Sequence, residues 1–510
     1  MPDINPFNST DGTQRSYSSP AVVIDKRSRH KLLGKFEEVG MVIVNCSFSA
    51  PLNAKIRISM RKYFLITLSL LLFSTLKAQE VWTLEKCVEY ALTNNIQVKQ
   101  QLLQVKSEQA LLQQDKLSML PSLNGGVSHG YNFGQTVDRY TNQFATSRVQ
   151  TDNLYLGSSV TLFGGFRKIN QVKQRTVDLE ATNYDTDKFL DDISLSIATG
   201  YLQILYYNEL VKTAQNQLKA TELQSQRLKK LVDAGAMAEG DYYTLEAQRA
   251  AENSLVISAQ NNLDIAHLTL VQMLDLPTME GFVIEYPDLE LGLQPALEIS
   301  AEQIYGFALE TQPDIKSAET RVKSSEIGLG MAKGAQSPTL TLEGSLASGF
   351  SGANMVVDSI TFESSVKPFG DQISDNFNRS VSLNLNVPIF NGWATRTAIS
   401  RAKINVENQK LNLELTKLQL RKTIQQAYAD AKAALNNYES SIMGVNASRE
   451  SFRYADQKFN VGALNSVDYN NSKKELEKAE SDQLRAKYEF IFKSTVLDFY
   501  MGKPLSLKRK

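Results

Sequence analysis

Between Asn153 and Phe163 the chain alternates, with Leu154, Leu156, Ser158, Val160 and Leu162 set against Tyr155, Gly157, Ser159 and Thr161. A period of two belongs to a strand whose two faces meet different surroundings. After Gly164-Gly165 the period becomes helical and stays so for about seventy residues. The same switch recurs at PIFNGWATRTAIS, residues 388–400. The pattern predicts four strands, at 122–133, 153–163, 339–350 and 379–390.

The helix after each switch carries a seam in alternating steps of four and three. In the first it is Ile193, Ile197, Gly200, Ile204, Tyr207, Val211, Ala214, Leu218, Thr221, Ser225, Leu228 and Val232. In the second it is Leu420, Ile424, Ala427, Ala431, Ala434, Tyr438, Ser441 and Val445. This is a heptad pattern rich in small residues, which let helices approach closely. The spacing predicts helices running to Gly235 and Gly462, each on the order of 100 Å long. A compact globular domain has no use for such a helix. A short amphipathic helix is expected before each strand pair, broken at Asn94-Asn95 and at Gln312-Pro313. The helix after it should end at Pro121 or Pro338, and a last helix should return from about Asp241 or Asp468.

These parallels are an internal repeat. Phe163 and Phe390 stand 227 residues apart, as do Gly165 and Gly392, Tyr201 and Tyr428, Gly235 and Gly462, Asp241 and Asp468, and Pro277 and Pro504. Upstream the offset is 217, linking Ala91-Leu92 to Ala308-Leu309 and Pro121 to Pro338. Ten extra residues therefore lie in the second copy, within 342–382, where the Gly/Ser-rich composition is that of a loop. The repeats are read as 79–299 and 300–510, with a linker at 278–299 carrying Pro287 and Pro295.

Composition narrows the function classes. Among 510 residues, Lys plus Arg equals Asp plus Glu at 55 each, so global charge gives no reason to expect a nucleic-acid partner. Two cysteines and three histidines are too few for a disulfide framework or a Cys/His metal cluster. His129 and His267 read as loop and helix surface, and Trp82 and Trp393 as packing or interface residues. There is no Gly-rich phosphate loop ending in Lys-Ser/Thr, no His-Glu-x-x-His and no nucleophile elbow. No catalytic, cofactor or metal residue is assigned, and the chain is not read as an enzyme. Residues 60–78, MRKYFLITLSLLLFSTLKA, have the basic start, short apolar run and small-residue end of a secretory signal. Met60 is read as the working start and 1–59 as an upstream mis-start, leaving Cys87 as the one cysteine of the exported chain.

Four strands separated by such helices have no second layer to cover a face. A membrane barrel answers this, because backbone groups in lipid must all be paired and the sheet must close. Four strands are too few to close, so several copies must share the barrel. The tandem halves, the junctions Val160–Phe163 and Val387–Gly392, and the tips Ala234-Gly235 and Val461-Gly462, each followed by an Asp, resemble the TolC-like outer-membrane efflux proteins. The likeness covers nearly all of residues 80–505.

The resemblance implies a mixed α and β membrane protein. Each copy of a homotrimer would give four strands to an outer-membrane β-barrel and long coiled-coil helices to a periplasmic tunnel. It implies the exit duct of a tripartite efflux pump or type I secretion system, with a periplasmic adaptor, an inner-membrane transporter and outer-membrane lipid as partners. Pro121, Phe163, Gly164, Gly165, Pro338, Pro388, Phe390 and Gly392 would then mark the barrel–tunnel junction. Gly235, Ala236, Gly462 and Ala463 would form the adaptor-docking tips. Asp468 would ring the periplasmic gate and Asp241 would latch the closed state, although both also suit helix N-capping. Leu464, Phe459 and Asn471 depart from the family pattern, standing where an arginine, a tyrosine and a second ring acid are usual. The rival from another class is an exported coiled-coil scaffold without a pore.

Overall fold

A computed structural model describes residues 81–145, 148–287, 295–360, 362–503 and 505. The signal segment 60–78, the extension 1–59 and Pro504 lie outside the described residues. The first half runs β1 (Val81–Trp82), α1 (Leu84–Asn94), α2 (Ile96–Leu117), β2 (Ser122–Asn132), β3 (Thr136–Val137), β4 (Phe144–Ala145), β5 (Val149–Phe163), α3 (Arg167–Asp233), α4 (Glu239–Met273) and β6 (Val283–Ile284). The second runs α5 (Pro295–Glu298), α6 (Ala301–Thr311), α7 (Pro313–Gly334), β7 (Thr339–Ser351), β8 (Met355–Val357), β9 (Ser364–Val366), α8 (Phe369–Asp375), β10 (Asn378–Asn386), α9 (Ala394–Asn460) and α10 (Ser466–Tyr500). The chain divides into two compact units, one of residues 100–188 with 313–418, the other of the residues up to 99 with 189–312 and 419–510.

The first of these holds an antiparallel sheet in the order β10-β7-β5-β2. Its ladder shows the repeat directly. Ser122–Gly130 pair with Ser159–Thr151, and Thr339–Ala347 pair with Asn386–Asn378 in the same register, offset by 217 and 227 residues. The ten extra residues therefore fall between Ala347 and Asn378, and they are not a structureless loop. The stretch holds the β8–β9 hairpin, which answers β3–β4 of the first half, and α8, which has no counterpart among the described residues of that half. Buried Gln372 of α8 accepts from Ser351 N at 3.0 Å and donates to the carbonyls of Ser351 (3.0 Å) and Lys367 (2.8 Å), folding the insertion onto the end of β7.

Two strand boundaries differ from the alternation. β5 starts at Val149, four residues early, because β2 continues to Asn132 and supplies a partner there. β10 stops at Asn386 rather than 390. Its neighbour β7 begins opposite that residue, and Pro388 has no N–H to extend the ladder.

Each strand-to-helix switch is a pair of left-handed residues, Gly165 (φ +62°) with Phe166 (+58°) and Gly392 (+62°) with Trp393 (+69°). Gly164 is not among them; the angle is required one position later. Gly165 also faces the end of α7, where an added Cβ would stand 2.2 Å from the Gly334 carbonyl oxygen, whereas at Gly392 nothing lies within 4 Å. Phe163 is packed edge-on against Phe166 at 5.7 Å, and the Arg396 guanidinium covers the Trp393 ring at 4.3 Å.

In the other unit α1, α3, α4 and β6 bury one core around Leu84, Cys87, Ile197, Tyr201, Ile204, Leu270 and Ile284. Burial pushes the Cys87 thiol up to about 12, so it stays protonated. Every residue of both heptad seams is buried or half-buried, as a strict 4-3 pattern requires. The α1–α2 break follows from Asn95, whose side-chain oxygen accepts from Gln97 N (2.9 Å) and Val98 N (3.3 Å) while its amide donates to Met273 O (3.0 Å). Residues 278–299 are more than a linker, since β6 pairs in parallel with β1. Tyr201 fastens that pair by donating to the carbonyls of Trp82 (3.2 Å) and Glu285 (2.6 Å). Trp82 packs on Tyr90 and Phe282. His267 is half-buried rather than on the surface, edge-on to Phe282.

The two junction glycines should not be equivalent. Gly392→Ala is expected to cost about 1 kcal/mol, from the left-handed angle alone. Gly165→Ala must in addition displace the end of α7, and its loss should be larger. Thermal melting of the purified variants in detergent compares the two, and equal losses would show that the approach to Gly334 carries no weight.

Candidate channel wall and gate

The sheet has two unlike faces. On one, Leu123, Val127, Leu156, Leu342, Val381, Leu383 and Leu385 stand together by register. Several are far out in the open, Val127 at 76%, Val381 at 81% and Leu385 at 64%. The other face is built of Ser, Thr, Asn and Gly and is hollow. A recess of about 330 Å³ is lined there by Ser122, Asn124, Tyr155, Ser159, Glu343, Ser345 and Ser382. An apolar outer face and a polar concave face are the two surfaces of a water-filled barrel wall in lipid. Glu343 is the one charged side chain on the concave face of the paired strands, among the described residues. Alternation alone does not single it out, because a lone glutamate in a polar position has no signature. His129 lies on β2 rather than in a loop, opposite Asp152, to whose carboxylate its Nδ1 is bonded. Among the described residues no helix is long and apolar enough to cross a membrane.

Both hairpin tips are closed by the same device. Gly235 N donates to Val232 O (2.8 Å) and Ala236 N to Leu231 O (2.8 Å). Gly462 N donates to Phe459 O (3.0 Å) and Ala463 N to Lys458 O (2.8 Å). With φ +74° at each glycine, these are Schellman ends, in which glycine holds the left-handed position. The glycines therefore serve the turn itself, while Ala236 and Ala463 are exposed beside them.

The N-capping reading of the two aspartates is corrected. The caps are Ala238, without a side-chain bond, and Asn465, which accepts from Asp468 N at 2.8 Å. Asp241 and Asp468 sit in the first helical turn, where negative charge suits the exposed N–H groups. They are otherwise unlike. Asp468 is exposed, and its carboxylate accepts from the Asn465 amide at 2.9 Å. Asp241 accepts a bond from Ser466 Oγ, which joins the first hairpin to the second. Leu464, Phe459 and Asn471 take no part in that bond. Phe459 stacks instead on Tyr469 at 4.5 Å.

Further along, Lys473 of α10 is 8% exposed and reaches into the first hairpin. Its ammonium bonds Thr221 Oγ1 of α3 and lies 3.0 Å from Glu252 Oε1 of α4, itself 2% exposed. Glu252 accepts also from Thr221 and from Gln248 Nε2 at 2.8 Å. Glu477 Oε1 stands 3.2 Å from the ammonium as an ion pair without a well-directed hydrogen bond. Desolvation raises the Glu477 carboxyl above its usual value, against the opposing pull of Lys473. The sequence reading missed this cluster. Its signal was a Ser466, Asn470, Lys473, Glu477 progression in the same four-three-four steps as the seams.

The profile of the outer membrane efflux protein family matches residues 87–275 and 304–503, and the chain belongs to that family. It is 24% identical over 371 residues to the pyoverdine export outer membrane protein OpmQ of Pseudomonas putida, covering 69% of this chain and 70% of the relative. It is 20% identical over 358 residues to the outer membrane efflux protein BepC of Brucella suis, covering 69% and 72%. Among solved structures it is similar to the CmeC outer membrane channel of Campylobacter jejuni (TM-score 0.67, 18% identity, 83% and 86% covered). It is also similar to the outer-membrane channel OprN (TM-score 0.66, 21% identity, 82% and 89% covered). The protein is thus an outer-membrane exit duct for efflux with a periplasmic helical part. A pore-free scaffold would leave the two-faced sheet unexplained.

Two outcomes follow from the Lys473 cluster. Lys473→Met leaves Glu252 buried without a counter-charge and should destabilise the fold by about 3–5 kcal/mol. The double variant with Glu252→Leu should recover most of that loss in thermal melts; a loss below about 1 kcal/mol for the single variant would contradict the burial argument. Glu477 holds its proton more tightly when folded than when unfolded. Its contribution therefore falls as pH rises from the ordinary 4.5 through the raised value. Glu477→Gln should gain on wild type between pH 4 and pH 7, and a constant difference over that window would refute the shift.

Proposed function

We propose that three copies of the chain close one barrel, each giving the four strands of its sheet, and that the duct is passive, with no catalytic step. The observation that carries this is the sheet itself. It is apolar on one face, polar and hollow on the other, and its outermost strands β2 and β10 have no further strand beside them among the described residues. Backbone groups left unpaired in lipid cost several kcal/mol each, so such a sheet is stable in a membrane only when other copies complete it. The tandem repeats are assigned to 79–299 and 300–510. The efflux proteins this chain resembles work with an energised inner-membrane transporter and a periplasmic adaptor. We assign both as partners, with the adaptor docking on the exposed Ala236 and Ala463 beside the tip glycines.

The Asp241–Ser466 bond and the Lys473 cluster act as the latch, because both tie the second hairpin to the first within one chain. Asp468 is the gate acid. Three exposed carboxylates around one axis repel, and a multivalent cation between them relieves that repulsion. Asn471 supplies no second acidic ring, so the block should be modest and should weaken as salt rises.

Single-channel current across planar bilayers, with hexamminecobalt added to each side in turn, tests the gate. Wild type should be blocked from the periplasmic side only, and Asp468→Asn should conduct unblocked with the same open-channel conductance. Equal block of both proteins would reduce Asp468 to a first-turn helix residue.

A further inference from the structure

Inside one chain there is already a contact between a second half and a first. Strand β5 of the first half pairs with β7 of the second, from Val160 opposite Leu342 to Tyr155 opposite Ala347. The offsets are constant through these strands, 217 from β2 to β7 and 227 from β5 to β10. β10 is therefore the counterpart of β5, and β2 the counterpart of β7. Each of these counterparts ends the sheet with one row of backbone groups facing away from its partner strand.

We infer that β10 of one copy pairs with β2 of the next in the register transposed from β5 and β7. Asn386 then stands opposite Gly126, Leu385 opposite Val127, Asn384 opposite Ser128, Leu383 opposite His129 and Ser382 opposite Gly130. The inference rests on the shared-barrel reading, and what it adds is the register.

Two further features agree with it. The transposed pairs match in character, since Leu385 and Val127 belong to the apolar face and Asn384 and Ser128 to the polar one. A slip of one residue would set Asn384 against Val127 and turn β2 inside out. A slip of two keeps the faces, and only the repeat selects against it. The second feature is Pro388. The β5–β7 ladder is irregular between Thr161 and Phe163, and the offset carries Thr161 onto Pro388. A residue without an N–H thus falls at the last regular pair before the parent ladder breaks.

The junction beside the sheet does not repeat. Gly334, which approaches Gly165, has Leu117 as its counterpart, and a Cβ at Gly334 would already stand 2.3 Å from the Gly165 carbonyl oxygen. The transposition is therefore confined to the strands.

The test is disulfide formation in the full chain, in outer membranes, read on non-reducing gels. Within one chain Leu385 and Val127 lie on opposite edge strands, three strand spacings (about 14 Å) apart sideways and displaced further along the strands, since Leu385 ranks with Phe163 of β5 and Val127 with Leu154. That exceeds the range of a disulfide, so any cross-link joins two copies. Cys87 is buried and silent. Leu385→Cys with Val127→Cys, and Asn384→Cys with Ser128→Cys, should give covalent dimers and trimers. Their yield should be about five-fold or more above Leu385→Cys with Gly125→Cys or with His129→Cys, each two residues and about 7 Å out of register. The two matched pairs sit on opposite faces, so one poorly folding variant does not decide the result. Better cross-linking of the displaced pairs, or none at all in a protein that is still trimeric, would overturn the register. A monomeric protein with no cross-links would overturn the shared barrel as well.

Discussion

Backbone hydrogen bonding in a medium without water is the constraint on which the rest depends. Each N–H and C=O in lipid must find a partner inside the protein, which leaves a closed sheet as the only use for the strands found here. Among the described residues, β5 and β7 are paired on both sides, whereas β2 and β10 are paired on one. The proposed need for other copies rests on that difference, and the open row of Val127, Val381 and Leu385, which a soluble protein would cover, fits a face turned to lipid.

The repeat turns this constraint into an architecture. Duplication places a second-half strand beside a first-half strand within each chain, and the offsets are kept residue for residue through the ladder. It also gives two hairpins with the same Schellman tips. Where the halves diverge, the divergence is informative. Asp241 meets Ser466 of the other hairpin, while its counterpart Asp468 is exposed. Gly165 is pressed against Gly334, while Gly392 is open.

Much of the fold is legible in the sequence because it depends on periodicity. The alternation from Leu154 to Leu162 and the 4-3 seam from Ile193 to Val232 each report a surface that must be buried or face lipid. The helix break at Asn95 and the turn at Gly235 are equally readable, since few residues fit those positions. What the sequence concealed depends on pairs distant along the chain. Nothing beside Asp241 announces Ser466, and Lys473 gains its meaning only from Thr221 and Glu252 on two other helices. β10 ends early because its neighbour begins there, a fact of register rather than of composition. The Gly/Ser-rich insertion reads as loop because a single buried glutamine, Gln372, supplies the bonds that fold it.

The claim that copies complete one another's sheet is tested most directly by counting them. Native mass spectrometry of the protein extracted from outer membranes should show one dominant species at three times the mass of the mature chain, stable until the barrel unfolds. A dominant monomer that still conducts ions across a bilayer would contradict the account, because a single chain would then have closed a pore with four strands.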